Sequence, residues 1–253
     1  MRLGELDGDV TGTDDGRPPV VLLHGLTFDR AMWGPLVRAL RGRRVVALDL
    51  PGHGASPRRE SYDPAEVADV LHGAVTAAGL RRPVLVGHSV GAVVAAVYAA
   101  KYPARAVLDI DQPLLAGPFG EMLRSAEPVL RGPEYLSVWN KLLAGMGVDE
   151  LAPQRRDLLR STPLQDLLLG YWREILEVPA DELRENRIRQ LLALGAGESA
   201  FHHVSRSPVN PGYATWLTSV LPDARFTVLP GSGHFPHIGQ PVAVARIVAA
   251  LSE

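Results

Sequence analysis

The chain predicts an α/β fold: a mostly parallel, doubly wound sheet with a helical insertion between two of its strands. Three observations carry that expectation. Short apolar, β-branched runs alternate with helix-length amphipathic segments over most of the 253 residues, as in a parallel sheet covered on both faces. One run, Pro83-Val84-Leu85-Val86, passes through Gly87-His88-Ser89-Val90-Gly91 straight into Ala92 to Ala100, so that strand, tight turn and helix follow without a linker. Between Pro113 and Arg187 the alternation stops, and helical periodicity with repeated Pro and Gly replaces it.

Each element has its own signal. Met1 to Gly16 is polar, acidic and Gly-rich. Val20 to Leu23 reads as a strand, Arg30 to Leu40 as a helix and Val45 to Leu48 as a strand. Asp63 is a natural N-cap with Pro64 in the first turn, which starts a helix to about Ala78. Val84 to Val86, the helix Gly91 to Tyr102 and the strand Ala106 to Ile110 continue the alternation. The last third predicts a strand at Gln190 to Leu194, a helix from Pro211 capped by Asn210, a strand at Arg225 to Leu229 and a closing helix Pro241 to Leu251. Residues 1–112 and 188–253 are therefore expected to form the core, and 113–187 a helical cap. Phe119, Met122, Leu123, Tyr135, Trp139, Met146, Tyr171 and Trp172 supply the cap's large side chains, either as its own core or, in part, as an apolar pocket facing the turn.

Composition bounds the partners. Hydrophobic residues at 46% and charged residues at 21% describe an ordinary soluble domain. A net charge of -2 argues against nucleic acid or an anionic membrane surface. With no cysteine, disulfides, thiolate metal sites and cysteine nucleophiles are excluded. The first residues lack the charged and apolar regions of a signal peptide, and no apolar run approaches the ~18 residues of a membrane span. The expectation is a soluble, cytoplasmic protein. The cap's arginines are mixed with a larger number of acidic residues, which reads as a solvated face.

The chemistry centres on Ser89, at the apex of the turn and beside the N-terminus of the following helix. A serine hydroxyl needs a base within reach. His234, in Pro230-Gly231-Ser232-Gly233-His234-Phe235-Pro236-His237, follows the last strand and so lies at the same carboxyl edge. The base in turn needs a carboxylate on its far nitrogen. Asp111 ends the strand Val107-Leu108-Asp109-Ile110-Asp111 at that edge, with Asp109 a weaker candidate. His88 is expected to pack under the turn, His24 and His53 to brace backbone, and His237 to pack or to brace its loop. His72, His202 and His203 have no motif support.

Four segments in this order resemble the α/β-hydrolase superfamily: His24-Gly25-Leu26-Thr27, Asp49-Leu50-Pro51-Gly52-His53-Gly54-Ala55-Ser56, Gly87-His88-Ser89-Val90-Gly91, and the Gly-x-Gly-His-x-Pro-His loop at His234. The resemblance implies a nucleophile elbow at Ser89, His234 as general base, and an oxyanion hole from the backbone N–H groups of Leu26 and Val90. It also offers a second acid. Family members usually carry it after the strand that follows the cap, in a Gly-x-x-Asp pattern, and Glu198 in Leu194-Gly195-Ala196-Gly197-Glu198 falls there. Asp111 and Glu198 both remain open, and the family's leading hairpin is expected to be reduced.

Serine at the nucleophile position sets aside the relatives that use Asp, the dehalogenases and epoxide hydrolases. Gly52-His53-Gly54 and Gly231-Ser232-Gly233 are too short for a dinucleotide fingerprint, so neither cofactor nor metal is expected. The reading is a serine hydrolase of an ester, thioester or lactone with a small apolar acyl or aromatic part. Carbon–carbon bond hydrolysis, a lyase reaction or perhydrolysis on the same frame is the alternative, and a non-catalytic ligand-binding receptor is the third.

Overall fold

The computed structural model describes residues 1–253. An eight-stranded sheet runs β1 (Arg2–Leu3), β2 (Leu6–Thr11), β4 (Val45–Leu48), β3 (Val20–Leu23), β5 (Val84–His88), β6 (Ala106–Ile110), β7 (Ala200–Ser205) and β8 (Arg225–Val228) across its width. β1 and β2 pair antiparallel with each other, β2 pairs antiparallel with β4, and every other pairing is parallel. The leading hairpin is thus present, shortened at β1. The central strands β3, β4, β5 and β6 are buried at every residue, which explains why they are mostly Val, Leu, Ile and Ala, with polar exceptions only at His88 and Asp109: both faces are covered.

The helices over the sheet follow their sequence signals. A 3-10 turn at Arg30–Trp33 leads into α1 (Gly34–Ala39), so the expected helix there is split. α2 (Pro64–Ala77) starts where Asp63 accepts the Ala65 N–H, and α3 (Val90–Lys101) follows β5 directly. α2, α3 and α9 (Ala180–Ala196) pack together, while α1 packs with α11 (Pro236–Gly239) and α12 (Pro241–Ala250). α10 (Pro211–Val220) starts at Asn210, whose side chain accepts from the Gly212 and Tyr213 N–H groups.

Between β6 and β7 the chain forms α4 (Gly117–Leu130), α5 (Tyr135–Ala144), α6 (Pro153–Arg156), α7 (Gln165–Tyr171) and α8 (Arg173–Glu177) before α9. This insert is tied to loops at the carboxyl edge. Thr27 and Ser161 hydroxyls lie 2.7 Å apart, and Tyr171 OH donates to the Pro51 carbonyl at 2.9 Å.

One predicted element is wrong. Gln190 to Leu194 is not a strand but the end of α9, and the strand is Ala200–Ser205. Leu191 and Leu194 are fully buried one helical turn apart, so their apolar run reflects a helix face rather than a pleated strand. α9 also crosses the expected boundary at residue 187, and its packing on α3 joins it to the core.

Candidate active site

The elbow is built by close backbone approach. A Cβ on Gly91 would lie 2.3 Å from the Leu23 carbonyl oxygen, and one on Gly87 2.3 Å from that of Gly91. Ser89 itself sits at φ 52°, ψ -125°, a region an L-residue enters only under strain. This conformation lifts its side chain out of the strand and into a cavity of ≈ 1410 Å³, larger than the ~300–1,000 Å³ of most ligand sites. Ser89, Val90, Leu26, Asp111 and His234 all line it.

His234 Nδ1 lies 2.7 Å from Asp111 Oδ2. The ring donates through Nδ1–H and so presents Nε2 as an acceptor. Asp111 is fixed in turn: its Oδ1 accepts the Arg206 N–H at 3.0 Å, and the Arg206 guanidinium stands 3.8 Å from Oδ2. The Ser89 hydroxyl donates to Gln112 Oε1 at 3.5 Å and makes no hydrogen bond to His234. The N–H groups of Leu26 and Val90 have no backbone acceptor.

Glu198 does not join this group. It is exposed and precedes β7, whose start pairs with the start of β6 (Ala106 with Ala200). Strand rise places it roughly 20 Å from Asp111, at the opposite edge of the sheet. Its assignment as an alternative acid is therefore corrected. The Gly-Ala-Gly-Glu segment terminates a helix and enters β7. Behind β7, at the family's usual acid position, the chain has Arg206. Asp109 is also spoken for: it pairs with His203 at 2.8 Å, not with His234.

His24, His53 and His88 act as neutral braces, whereas His237 is buried with neither ring nitrogen hydrogen-bonded and packs against Trp33. His24 Nε2 accepts the Leu50 N–H at 2.9 Å and His53 Nε2 accepts the Thr27 N–H at 3.1 Å, which links the Asp49–Ser56 turn to the Leu26 loop. Asp49 completes that turn through the Arg30 and Ala55 N–H groups at 2.8 and 2.9 Å and through the Arg30 guanidinium. His88 Nε2 donates to the His234 carbonyl at 2.9 Å. Burial pulls His24 down to about 4 and His53 to about 3. Burial, helped by the charge of His234, pushes His88 and His237 well below the ordinary imidazole value.

The histidine loop is also bonded to the insert. The His234 N–H donates to the Met146 carbonyl at 2.7 Å and the Gly233 N–H to Glu150 Oε2 at 3.0 Å. Arg155 Nη1 donates to the Ile238 carbonyl and, at 2.6 Å, to that of Gly239. Of the insert's large side chains, Phe119, Met122, Trp139, Met146, Tyr171 and Trp172 face the cavity, whereas Leu123 and Tyr135 do not. Gln112, Arg206 and the Asp109–His203 pair escaped the sequence reading. Only strand register, which no local motif carries, would have placed Asp109 opposite His203.

A serine on a strand–turn–helix elbow, with a carboxylate-bound histidine in the same cavity, defines a hydrolase-type frame. The chain belongs to the alpha/beta hydrolase family, whose profile matches residues 20–247. Over 245 residues it is 29% identical to pimeloyl-[acyl-carrier protein] methyl ester esterase of Chromobacterium violaceum, covering 92% of this chain and 93% of that one. Among solved structures, the ring-cleaving AqdC variant in complex with its substrate, the Pseudomonas quinolone signal, superposes with a TM-score of 0.82 at 23% identity, over 97% of this chain and 94% of that one. 1H-3-hydroxy-4-oxoquinoline 2,4-dioxygenase gives a TM-score of 0.78 at 20% identity, over 98% and 96%. At those identities the two structures establish the fold. No helix is long and apolar enough to cross a membrane.

Proposed function

We propose that this protein is a serine hydrolase that cleaves an ester, thioester or lactone through an acyl-enzyme on Ser89. The observation that carries the reading is the 2.7 Å bond from His234 Nδ1 to Asp111, which leaves Nε2 as a base in the cavity that Ser89 enters. This reading requires the serine's χ1 to turn the hydroxyl from Gln112 towards Nε2, a tightening common when substrate arrives. Ser89 Oγ attacks the acyl carbon as His234 takes its proton. The oxyanion is held by the N–H groups of Leu26 and Val90, each such donor contributing about 3–4 kcal/mol to the transition state. His234 then returns the proton to the leaving group and activates water for deacylation. Asp111 fixes the tautomer and stabilises the imidazolium. The insert acts as a cap whose aromatic side chains exclude water and take up the apolar part of the substrate.

Labelling with a fluorophosphonate probe tests this directly. Wild type is expected to label and to hydrolyse short 4-nitrophenyl esters, and Ser89→Ala to do neither. A second reading draws on the Ser89–Gln112 contact: His234 acts alone as a base, in cleavage of a carbon–carbon bond or an aromatic ring. There, turnover survives Ser89→Ala and disappears in His234→Ala. An unlabelled wild type with no turnover leaves a binding role.

A further inference from the structure

The cavity contains a second carboxylate–imidazole pair. Asp109 on β6 and His203 on β7 stand opposite each other in register, and His203 Nδ1 is 2.8 Å from Asp109 Oδ2. Asp109 is fully buried, and its other oxygen accepts the Gln112 N–H at 3.1 Å. His203 is only 2% exposed, yet it forms part of the cavity wall. Its ring sits edge-on between Tyr213 and Phe226, with centroids at 5.7 and 6.1 Å. Asp109 holds Nδ1, so Nε2 is the polar atom the ring has left, and it makes no hydrogen bond within the protein. Burial pushes this imidazole down, but the charge and hydrogen bond of Asp109, with the charge of Asp111, outweigh it and hold it above the ordinary value. A carboxylate arriving at Nε2 would set the ring between two carboxylates, which favours the imidazolium and makes Nε2 a donor.

A separate observation concerns the cavity's charge. Its cations are Lys141, Arg184 and Arg206, and its carboxylates are Asp111 and Glu174. Both carboxylates are committed, Asp111 to His234 and Glu174 to Arg187 at 2.8 Å. Lys141 and Arg184 are exposed residues of the lining with no acidic partner, so the solvent-facing part of the cavity is cationic.

We infer that His203 is a substrate-positioning residue whose Nε2–H binds a carboxylate carried by the substrate away from its scissile bond. The substrate class is then an acyl ester or thioester bearing a second, ionised carboxyl group. The inference rests on the reading of this cavity as the substrate site. The apolar chain of the acyl group lies against the aromatic wall, and its carboxylate ends in the corner made by His203, Tyr213 and Trp216.

The test compares mono-4-nitrophenyl esters of glutaric to suberic acid with 4-nitrophenyl esters of neutral acids of the same length. Wild type is expected to prefer the carboxylated probe at one chain length, through KM. His203→Asn keeps a donor where Nδ1 bonds Asp109 and deletes Nε2. It should raise KM for that probe by about 10- to 100-fold, the range for a lost hydrogen bond to a charged group. Its kcat on the neutral probe should stay within about threefold, because no proton transfer of the reaction is assigned to His203. Equal preference in wild type, or an equal loss on both probes in His203→Asn, overturns the inference. A readout without turnover uses wild type alone: titration with adipate should shift the ring ¹⁵N signals of His203, and 1,6-hexanediol should not. Absence of any ester turnover with that shift intact counts against the Ser89 reading only. Turnover without the shift counts against His203 only.

Discussion

Ser89 carries two opposed demands. Its φ of 52° and ψ of -125° cost about 1–3 kcal/mol for a residue with a Cβ, and the hydroxyl that justifies the strain contributes little to folding. Ser89→Gly is therefore expected to raise stability by about 1 kcal/mol in urea titration while abolishing fluorophosphonate labelling. A loss of stability would mean that the backbone is unstrained and the serine is held for packing. The carboxylates give a second contrast at this scale. Asp111→Asn should lower kcat by about 10³–10⁴-fold, because an amide can donate its N–H to Nδ1 and so hold the wrong tautomer. Glu198→Gln should leave kcat within about twofold, since it lies at the far edge of the sheet. Steady-state kinetics on one activated ester distinguishes the two.

At the scale of elements, stability concentrates where strand and helix touch without side chains between them. Gly91→Ala places a methyl 2.3 Å from a carbonyl oxygen of β3, and neither backbone can retreat from a sheet buried on both faces. A loss of at least about 3 kcal/mol in chemical denaturation is expected. Asn210→Ala removes a cap that serves two N–H groups of α10 and should cost only about 1 kcal/mol. The strands were legible wherever composition and burial agree. Val20 to Leu23 and Val45 to Leu48 read correctly because every position is apolar and every position is buried. β7 did not, because Ala-Phe-His-His-Val-Ser hides its burial behind two histidines, one bonded to Thr227 and the other to Asp109. The apolar Leu-Leu-Ala-Leu run in α9 drew the strand assignment away from it. Ser89 and His234 were readable from local turns, whereas the choice between Asp111 and Glu198 depended on which edge each faces, a property of the whole sheet.

At the scale of the molecule, five buried histidines make folding sensitive to acid. His24, His53, His88, His202 and His237 all titrate below the ordinary 6.5 in the folded state, with His24 and His202 at about 4 and His53 at about 3. The unfolded chain therefore binds more protons below pH 6.5, and stability rises with pH through that window. The contribution is complete above pH 6.5 and is lost as pH falls towards the folded values. Each such group removes about 1.4 kcal/mol per pH unit. His203 acts with the opposite sign, since its raised value makes its contribution present at low pH and lost as pH rises through that value. Asp109, whose value burial raises, acts in the same sense as His203, and two groups against five leave a net acid collapse. Thermal melts are expected to fall steeply between pH 6.5 and pH 4, and a flat profile there would show that these rings are hydrated in the folded state.

The tethers between the histidine loop and the insert have a further consequence. Met146, Glu150 and Arg155 hold residues 233–239 through four hydrogen bonds. The insert is thus no detachable module that could be trimmed to widen the entrance. Excising 145–156 would strip partners from two adjacent N–H groups and two carbonyls in the segment that sets the imidazole's position. A shortened chain would keep its sheet and lose the alignment of His234. Redesign of specificity is better aimed at α4, which reaches the cavity through Phe119 and Met122 and shares none of these bonds.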